Sequence, residues 1–415
     1  MTRPSSLRTG FWTVLLLGCL AWTPAAYPGY WQGLEGFVPV FNAAQPNALA
    51  NIATVPDLWR GMGNATFLLA RPFLAVNLDA TTAVRLTFVL CFVLGGLGMY
   101  AWLRAGLGDR AAGLAGLIYT LSPVCLATVY VRGSLSEAMI MGLLPVALAG
   151  IAAHAQGRSP GAAGIAVIAI LWMWRTQAGL ALFASVLLLL YALLVERQWV
   201  TGLVVAVSGL AGLTSLIPLW SIRTTTPVIF HEHFVHWFQL FKGDWQTATS
   251  IPGWQDNYPF QLGFVGVIFS AVTLWRWVRP AAPQPSRYVA RLLRFSVGSV
   301  IICVALSLHG SAELWQWSGA ERLLTYPWQL LLLAAPLLAV TAGSLAYLDA
   351  DLGDTTYWTL LVALVVLGSY GNLTPKFTLI HPPETPIAVI GATRNFVILE
   401  ARLTEQAQPP GAILE

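Results

Sequence analysis

In a chain that carries little charge, an arginine and a glutamate set close together are the first place to look for chemistry. The stretch YVRGSLSEAMIMGLLP (Tyr130–Pro145) puts Arg132 and Glu137 five positions apart at the head of an otherwise apolar run. Ser134 and Glu137 have the S-x-x-E spacing of a capping box, so both side chains are expected to satisfy free backbone donors at a helix start. Capping leaves Arg132 without a role, because a cation at a helix amino terminus opposes the macrodipole and calls for an anion nearby. Glu137 is one such anion, as a structural ion pair. A lipid phosphate is the other, and the arginine fork suits both.

Further charged and polar groups stand at the ends of apolar runs. Arg175 in WRTQAGLAL and Arg322 in SGAERLLTYPWQ are each either a phosphate contact or a side chain snorkelling to the headgroups. Glu35, in GYWQGLEGFVPVF, is the first carboxylate after the first apolar run, and Asp57, in VPDLWRG, is the alternative acid or a helix N-cap. HEHFVHWFQLF holds His231, His233, His236 and Trp237. It is expected to form an interfacial amphipathic helix with His233 and His236 on one face. A divalent ion there would need Glu232 or Glu35 to complete its ligands. The H-E-x-x-H motif itself is not met, because Val235 stands where the second histidine belongs. No metal ligand set is assigned, and the cofactor question stays open. Asp349-Ala-Asp351 mimics a metal-binding D-x-D but lies in a turn a few residues long, where it reads as a helix end.

What must position these residues is a membrane bundle. Of 415 residues, 57% are hydrophobic and only 10% charged, and the mean hydropathy is +0.68, which excludes an ordinary soluble domain. Eighteen tryptophans and twelve tyrosines suit long interfacial belts. The net charge of +4 is spread over many loops, so no nucleic-acid partner is indicated. Cys19, Cys91, Cys125 and Cys303 all fall in apolar stretches and imply neither a disulfide framework nor a metal cluster.

About eleven runs are long enough to cross hydrocarbon: 11–27, 82–103, 111–130, 135–153, 161–174, 177–195, 199–221, 260–278, 294–309, 327–347 and 355–371. The fifth is short and joins the sixth in a tight or re-entrant hairpin. With the amino terminus in the cytoplasm, Arg104, Arg110, Arg158, Arg197 and the cluster from Arg276 to Arg294 share its side, in accord with the positive-inside rule. The expected organisation is a transmembrane domain over 1–371, with long extracytoplasmic loops at 28–81 and 222–259, and an extracytoplasmic tail over 372–415. A competing reading takes the first run as a cleaved signal peptide, which leaves the rest of the topology unchanged.

The run GMYAWLRAGLGDRAAGLAGLIYTLSPVCLATVYVRGSLSEAMIMGLLPVAL (Gly98–Leu148) resembles the bacterial membrane proteins labelled 6-pyruvoyl-tetrahydropterin synthase-related, which look like members of the GT-C superfamily of lipid-linked-sugar glycosyltransferases. PDLWRGMGNATFLLARPFLAV, WRTQAGLAL and TYPWQLLLLAAPLLAVTAG follow the same resemblance in order, so it covers most of the chain. It implies an all-α GT-C-like bundle in the cell membrane, with a catalytic acid in a long first extracytoplasmic loop. The implied activity is transfer of a sugar from a polyprenyl-phosphate donor to an extracytoplasmic acceptor. Glu35 stands where the loop acid is expected, although Pro39 and Asn42 occupy the place of the family's usual His or Arg partner. Arg132, Arg175 and Arg322 would hold phosphate. Glu137, the three histidines and Trp237 would support the site or border the acceptor. Two rival readings remain: a catalytically inactive GT-C-like scaffold bound to a membrane-protein partner, and a transporter or flippase of lipid-linked intermediates.

Overall fold

The computed structural model describes residues 8–27, 30–31, 39–40, 43, 66, 68–157, 159–216, 230–242, 245, 250–279, 284–349, 351–375 and 377–378. Its α-helices are α1 (Thr9–Leu17), α2 (Cys19–Ala26), α3 (Arg71–Ala75), α4 (Ala80–Leu107), α5 (Asp109–Thr120), α6 (Pro123–Tyr130), α7 (Leu135–Ala155) and α8 (Pro160–Thr176). After these come α9 (Ala178–Leu190), α10 (Trp199–Gly212), α11 (Phe264–Val278), α12 (Arg287–Ser307), α13 (Ala312–Ser318), α14 (Leu331–Gly343), α15 (Leu345–Leu348) and α16 (Thr355–Ser369). Among the described residues eight helical stretches are long and apolar enough to cross a membrane, and α8 and α11 are shorter apolar helices. Ten of the eleven expected crossings overlap these helices, and the last, 355–371, overlaps α16, which is not among them; the chain is an all-α, polytopic membrane protein. Outward-facing Leu203, Val207, Leu210, Ile301, Ile302, Leu360 and Leu367 are exposed, a display that only a lipid solvent makes favourable.

Two spans form the centre. From residue 111 to Tyr130 the first is buried throughout, and the apolar window of Pro327–Leu348 is 89% buried, whereas that of Arg287–Ser307 is 33% buried and faces outward. The first central span is broken between α5 and α6, where Pro123 cannot donate a backbone bond; Ser122 caps the new start by accepting from the Cys125 N–H at 3.3 Å. The expected hairpin forms too, with Gln177 alone, in extended conformation, between α8 and α9.

Small residues let the helices approach. On α4, a Cβ added at Gly98 would lie 2.9 Å from the Val146 nitrogen, and on α7 one at Gly142 would lie 3.0 Å from the Cys91 carbonyl oxygen. Without a hydrophobic drive between helices in lipid, such backbone contact is a main source of association.

The two ends of the bundle differ in chemistry. At one, Arg276 pairs with Asp349 at 2.6 Å, Asp109 accepts from the Tyr100 hydroxyl at 2.6 Å and the Gly10 N–H at 2.7 Å, and Arg110 donates to Thr355 at 2.7 Å. Asp349 also accepts from the N–H groups of Asp351 and Leu352, which makes the D-x-D a helix end. At the other end, β1 (Tyr30–Trp31) pairs antiparallel with β2 (Phe377–Thr378). Trp31 packs edge-on against Phe88 and Tyr130, and the Tyr130 hydroxyl donates to the Ala21 carbonyl at 2.6 Å. The first long loop therefore departs beside Tyr130, two residues before Arg132.

Gly98→Val should force α4 and α7 apart and lower stability by about 1–3 kcal/mol. Thermal unfolding in detergent checks this; an unchanged midpoint would show that the two helices do not rely on that contact.

Candidate functional site

The site begins with a turn. After α6 the Arg132 N–H donates to the Ala127 carbonyl at 2.8 Å and the Ser134 N–H to the Thr128 carbonyl at 3.1 Å. Gly133 between them has φ +69°, a left-handed conformation that closes the helix and that glycine adopts without steric cost. Arg-Gly-Ser thus reverses the chain within a few residues and starts α7 at once. Ser134 caps α7, accepting from the Glu137 N–H at 3.4 Å.

Only that half of the expected capping box forms. The Glu137 carboxylate does not return to the backbone; its Oε1 accepts from Arg132 Nε at 2.9 Å and from Gln329 Nε2. Both members of the ion pair are buried, at 5% and 3% side-chain exposure, where attraction is strong and each lost partner costly. The guanidinium lies 5.0 Å from the Tyr326 ring centroid and 5.3 Å from that of Trp328, and the aromatic faces add cation–π attraction. Gln329 belongs to the 3₁₀ turn Pro327–Leu330 that opens the second central span, and its Oε1 accepts from the N–H groups of Thr325 and Tyr326. One amide therefore locks the turn that presents the aromatics and also reaches across to α7.

A second polar chain comes from the loop before α11. Ser250 donates to Asp256 Oδ2 at 2.5 Å, and its oxygen lies 3.0 Å from His233 Nδ1. With Asp256 ionised, the single serine proton is committed to the carboxylate, so Ser250 accepts from a protonated Nδ1. The lone pair of the neutral imidazole is then on Nε2. Asp256 Oδ1 accepts from the Tyr258 N–H at 2.8 Å, and Gln239 donates to the Asp256 carbonyl at 2.9 Å. His233 meets Tyr326 edge-on at 5.0 Å, so this chain ends on the same aromatic that covers Arg132. Burial holds the His233 imidazole down at about 4. Burial also raises the Asp256 carboxyl, against the lowering effect of the Ser250 hydroxyl and the Tyr258 N–H, and keeps the Tyr258 phenol well above its ordinary value.

Thus Arg132, Glu137 and His233 converge on one aromatic cluster. His233 and His236 do not share a helix face, which corrects the expectation from their spacing. The segment is extended between two short 3₁₀ turns, because the Val235 N–H donates to Ser307 and the Val235 carbonyl accepts from the His309 N–H. His236 stacks instead on His309 at 5.7 Å. His231 pairs with Glu321 at 2.6 Å, beside exposed Arg322. Arg175 lies in the last turn of α8; two residues into α9, a Cβ on Gly179 would lie 1.7 Å from the Leu323 carbonyl oxygen, so hairpin and Arg322 turn are in backbone contact. Trp237 is exposed on the 3₁₀ turn Trp237–Phe241. Glu35 and Asp57 lie outside the described residues. Among the described residues no group of three or more His, Cys, Asp or Glu is placed to hold a metal ion. Gln329, Tyr258, Tyr326, Trp328, Ser250 and Asp256 were not singled out from sequence. For Gln329 the signal existed, a polar residue at the head of an apolar span, as for Glu137.

No family model matches the sequence, and no curated protein does. In fold the chain is similar to the single-particle cryo-EM structure of arabinofuranosyltransferase AftD from Mycobacteria, with TM-score 0.52 and 17% identity. The likeness covers 90% of this chain and 27% of that one, so the chain spans about a quarter of that protein's length. The shared feature is the fold, a helical membrane bundle.

Arg132→Met should cost about 3–5 kcal/mol by leaving Glu137 buried without its cation, and Arg132→Met with Glu137→Leu should recover much of the loss. Strictly additive losses in thermal unfolding would show that the two charges do not stabilise one another. For His233, the unfolded chain takes up a proton near the ordinary value of 6.5 that the folded protein refuses until about pH 4. Its stabilisation is therefore complete above pH 6.5 and lost as pH falls towards 4. Asp256, raised by burial, has the opposite sign and weakens the fold as pH rises through its folded value. Comparing melting across pH 4–6.5 isolates the histidine, because His233→Gln should flatten the acid decline; an identical decline in both proteins would assign it elsewhere.

Proposed function

We propose that this protein transfers a glycosyl unit from a polyprenyl-phosphate sugar to an extracytoplasmic acceptor, at the bundle end that carries Arg132 and Glu137. The observation that carries the reading is the fold similarity to an arabinofuranosyltransferase over 90% of the chain. Charge supports the orientation. Arg104, Arg110, Arg197, Arg276, Arg279, Arg287, Arg291 and Arg294 flank the opposite ends of the spans, which the positive-inside rule assigns to the cytoplasm. The site then faces outward, where a donor dissolved in the membrane and a water-soluble acceptor can both arrive.

The chemistry is a displacement at the anomeric carbon. An acceptor hydroxyl attacks as a carboxylate takes its proton, the new C–O bond forms, and the bond to the lipid phosphate breaks with its electrons on the phosphate. Glu35, in the first long loop, is the base in this reading, with Asp57 the second acid available there. Arg322, exposed, and Arg175, on the adjoining hairpin, supply the positive charge for the leaving phosphate. Arg132 is already committed to Glu137 under Tyr326 and Trp328, so it acts as the charge that fixes the site's carboxylate and aromatics in place.

In proteoliposomes supplied with polyprenyl-phosphate pentose or hexose, Glu35→Gln should lower turnover by roughly 10²–10⁴-fold while leaving thermal unfolding unchanged. Full turnover by that variant would dismiss Glu35. Movement of labelled lipid between leaflets with no glycosidic bond formed would replace the reading with transport.

A further inference from the structure

Between the two central spans and the loop before α11 lies a small cavity lined by Thr128, Glu137, Tyr258, Phe260, Trp328 and Gln329, among others. Its volume is about 20 Å³, room for one water-sized group. Three observations define what that group must be. The Glu137 carboxylate, which can accept about four hydrogen bonds, takes its two described ones on Oε1. Trp328, 4% exposed, is sandwiched between Tyr258 at 4.5 Å and Tyr326 at 4.7 Å. Its indole Nε1 is buried with no hydrogen-bond partner.

We infer that this cavity is a hydroxyl subsite, in which one hydroxyl of a neutral sugar donates to Glu137 and accepts from Trp328 Nε1. An acceptor and an orphaned donor from two residues of one lining suit a group that both gives and takes a hydrogen bond. A phosphate oxygen has no proton for Glu137 and meets its negative charge. An alkyl group would leave the indole N–H and the carboxylate unsatisfied, the arrangement that most sharply separates a hydroxylated ligand from its deoxy analogue. This deepens the glycosyl-transfer reading and rests on it for the ligand class; the cavity adds that the sugar is held by a hydroxyl and not by an anionic group.

The test is equilibrium binding of methyl pentofuranosides and hexopyranosides to the full chain in nanodiscs, followed by saturation-transfer NMR. Trp328→Phe keeps an aromatic ring in the sandwich but removes the N–H. It should weaken the best glycoside about tenfold, the cost of one hydrogen bond to a buried group, and the deoxy analogue should bind the wild type equally poorly. Inorganic phosphate should not displace the glycoside. Equal affinity in Trp328→Phe, displacement by phosphate, or absence of any glycoside binding, which leaves a water site only, would each overturn the inference. Because the probes do not react, glycoside binding that depends on Trp328 can stand even if turnover fails the Glu35 test. Turnover can likewise stand while this cavity proves unimportant.

Discussion

The site depends on one buried ion pair. Arg132 and Glu137 sit where two spans meet, nearly out of contact with solvent, and a charge in such a place is tolerated only while its partner is in reach. That constraint reaches outward through their contacts. Glu137 holds Gln329, which shapes the turn carrying Tyr326 and Trp328, and those rings cover the guanidinium. Moving any one element would expose or strand a charge. The pair therefore acts less as a source of net stability than as a device that permits one arrangement of α7, the turn before α14 and the loop before α11.

The spans were legible in the sequence because hydrocarbon imposes a simple demand: every backbone group must bond within its own helix over a nearly fixed length. Arg132 was legible for a related reason. A cation that capping could not explain required an anion, and Glu137 supplies it. What the letters do not carry is the choice between local and distant partners. Glu137 has capping-box spacing, yet its carboxylate turns to Arg132 and Gln329, because a buried guanidinium is a stronger partner than a backbone N–H.

The loop between α10 and α11 was least legible. HEHFVHWFQLF has residues at helical spacing, but Val235 bridges to Leu308 and the segment extends, since tertiary backbone bonds override a weak local preference. The Ser250–Asp256–His233 chain joins residues whose proximity depends on that extension and on the turn at Gly253, φ +87°. No periodic signal marks such a contact. Arg132 and Glu137, at helix ends, meet as their spacing suggests, whereas the histidine segment departs from the helix its spacing suggests.

The two bundle ends show why chemistry collects at one of them. At the arginine-rich end two of the described acids hold elements together: Asp109 binds Tyr100 and Gly10, and Asp349 binds Arg276 and its own turn. Those contacts join one element to another or close a turn, and Arg276 Nε is buried there with no hydrogen-bond partner. At the opposite end the contacts also join elements, but they leave chemistry over: a carboxylate with capacity, an indole N–H without a partner, and an imidazole kept neutral by burial. A polar group left unsatisfied in a buried place destabilises the fold, and where it belongs to a residue that lines a cavity together with a carboxylate, as Trp328 does, a ligand that completes it accounts for its presence.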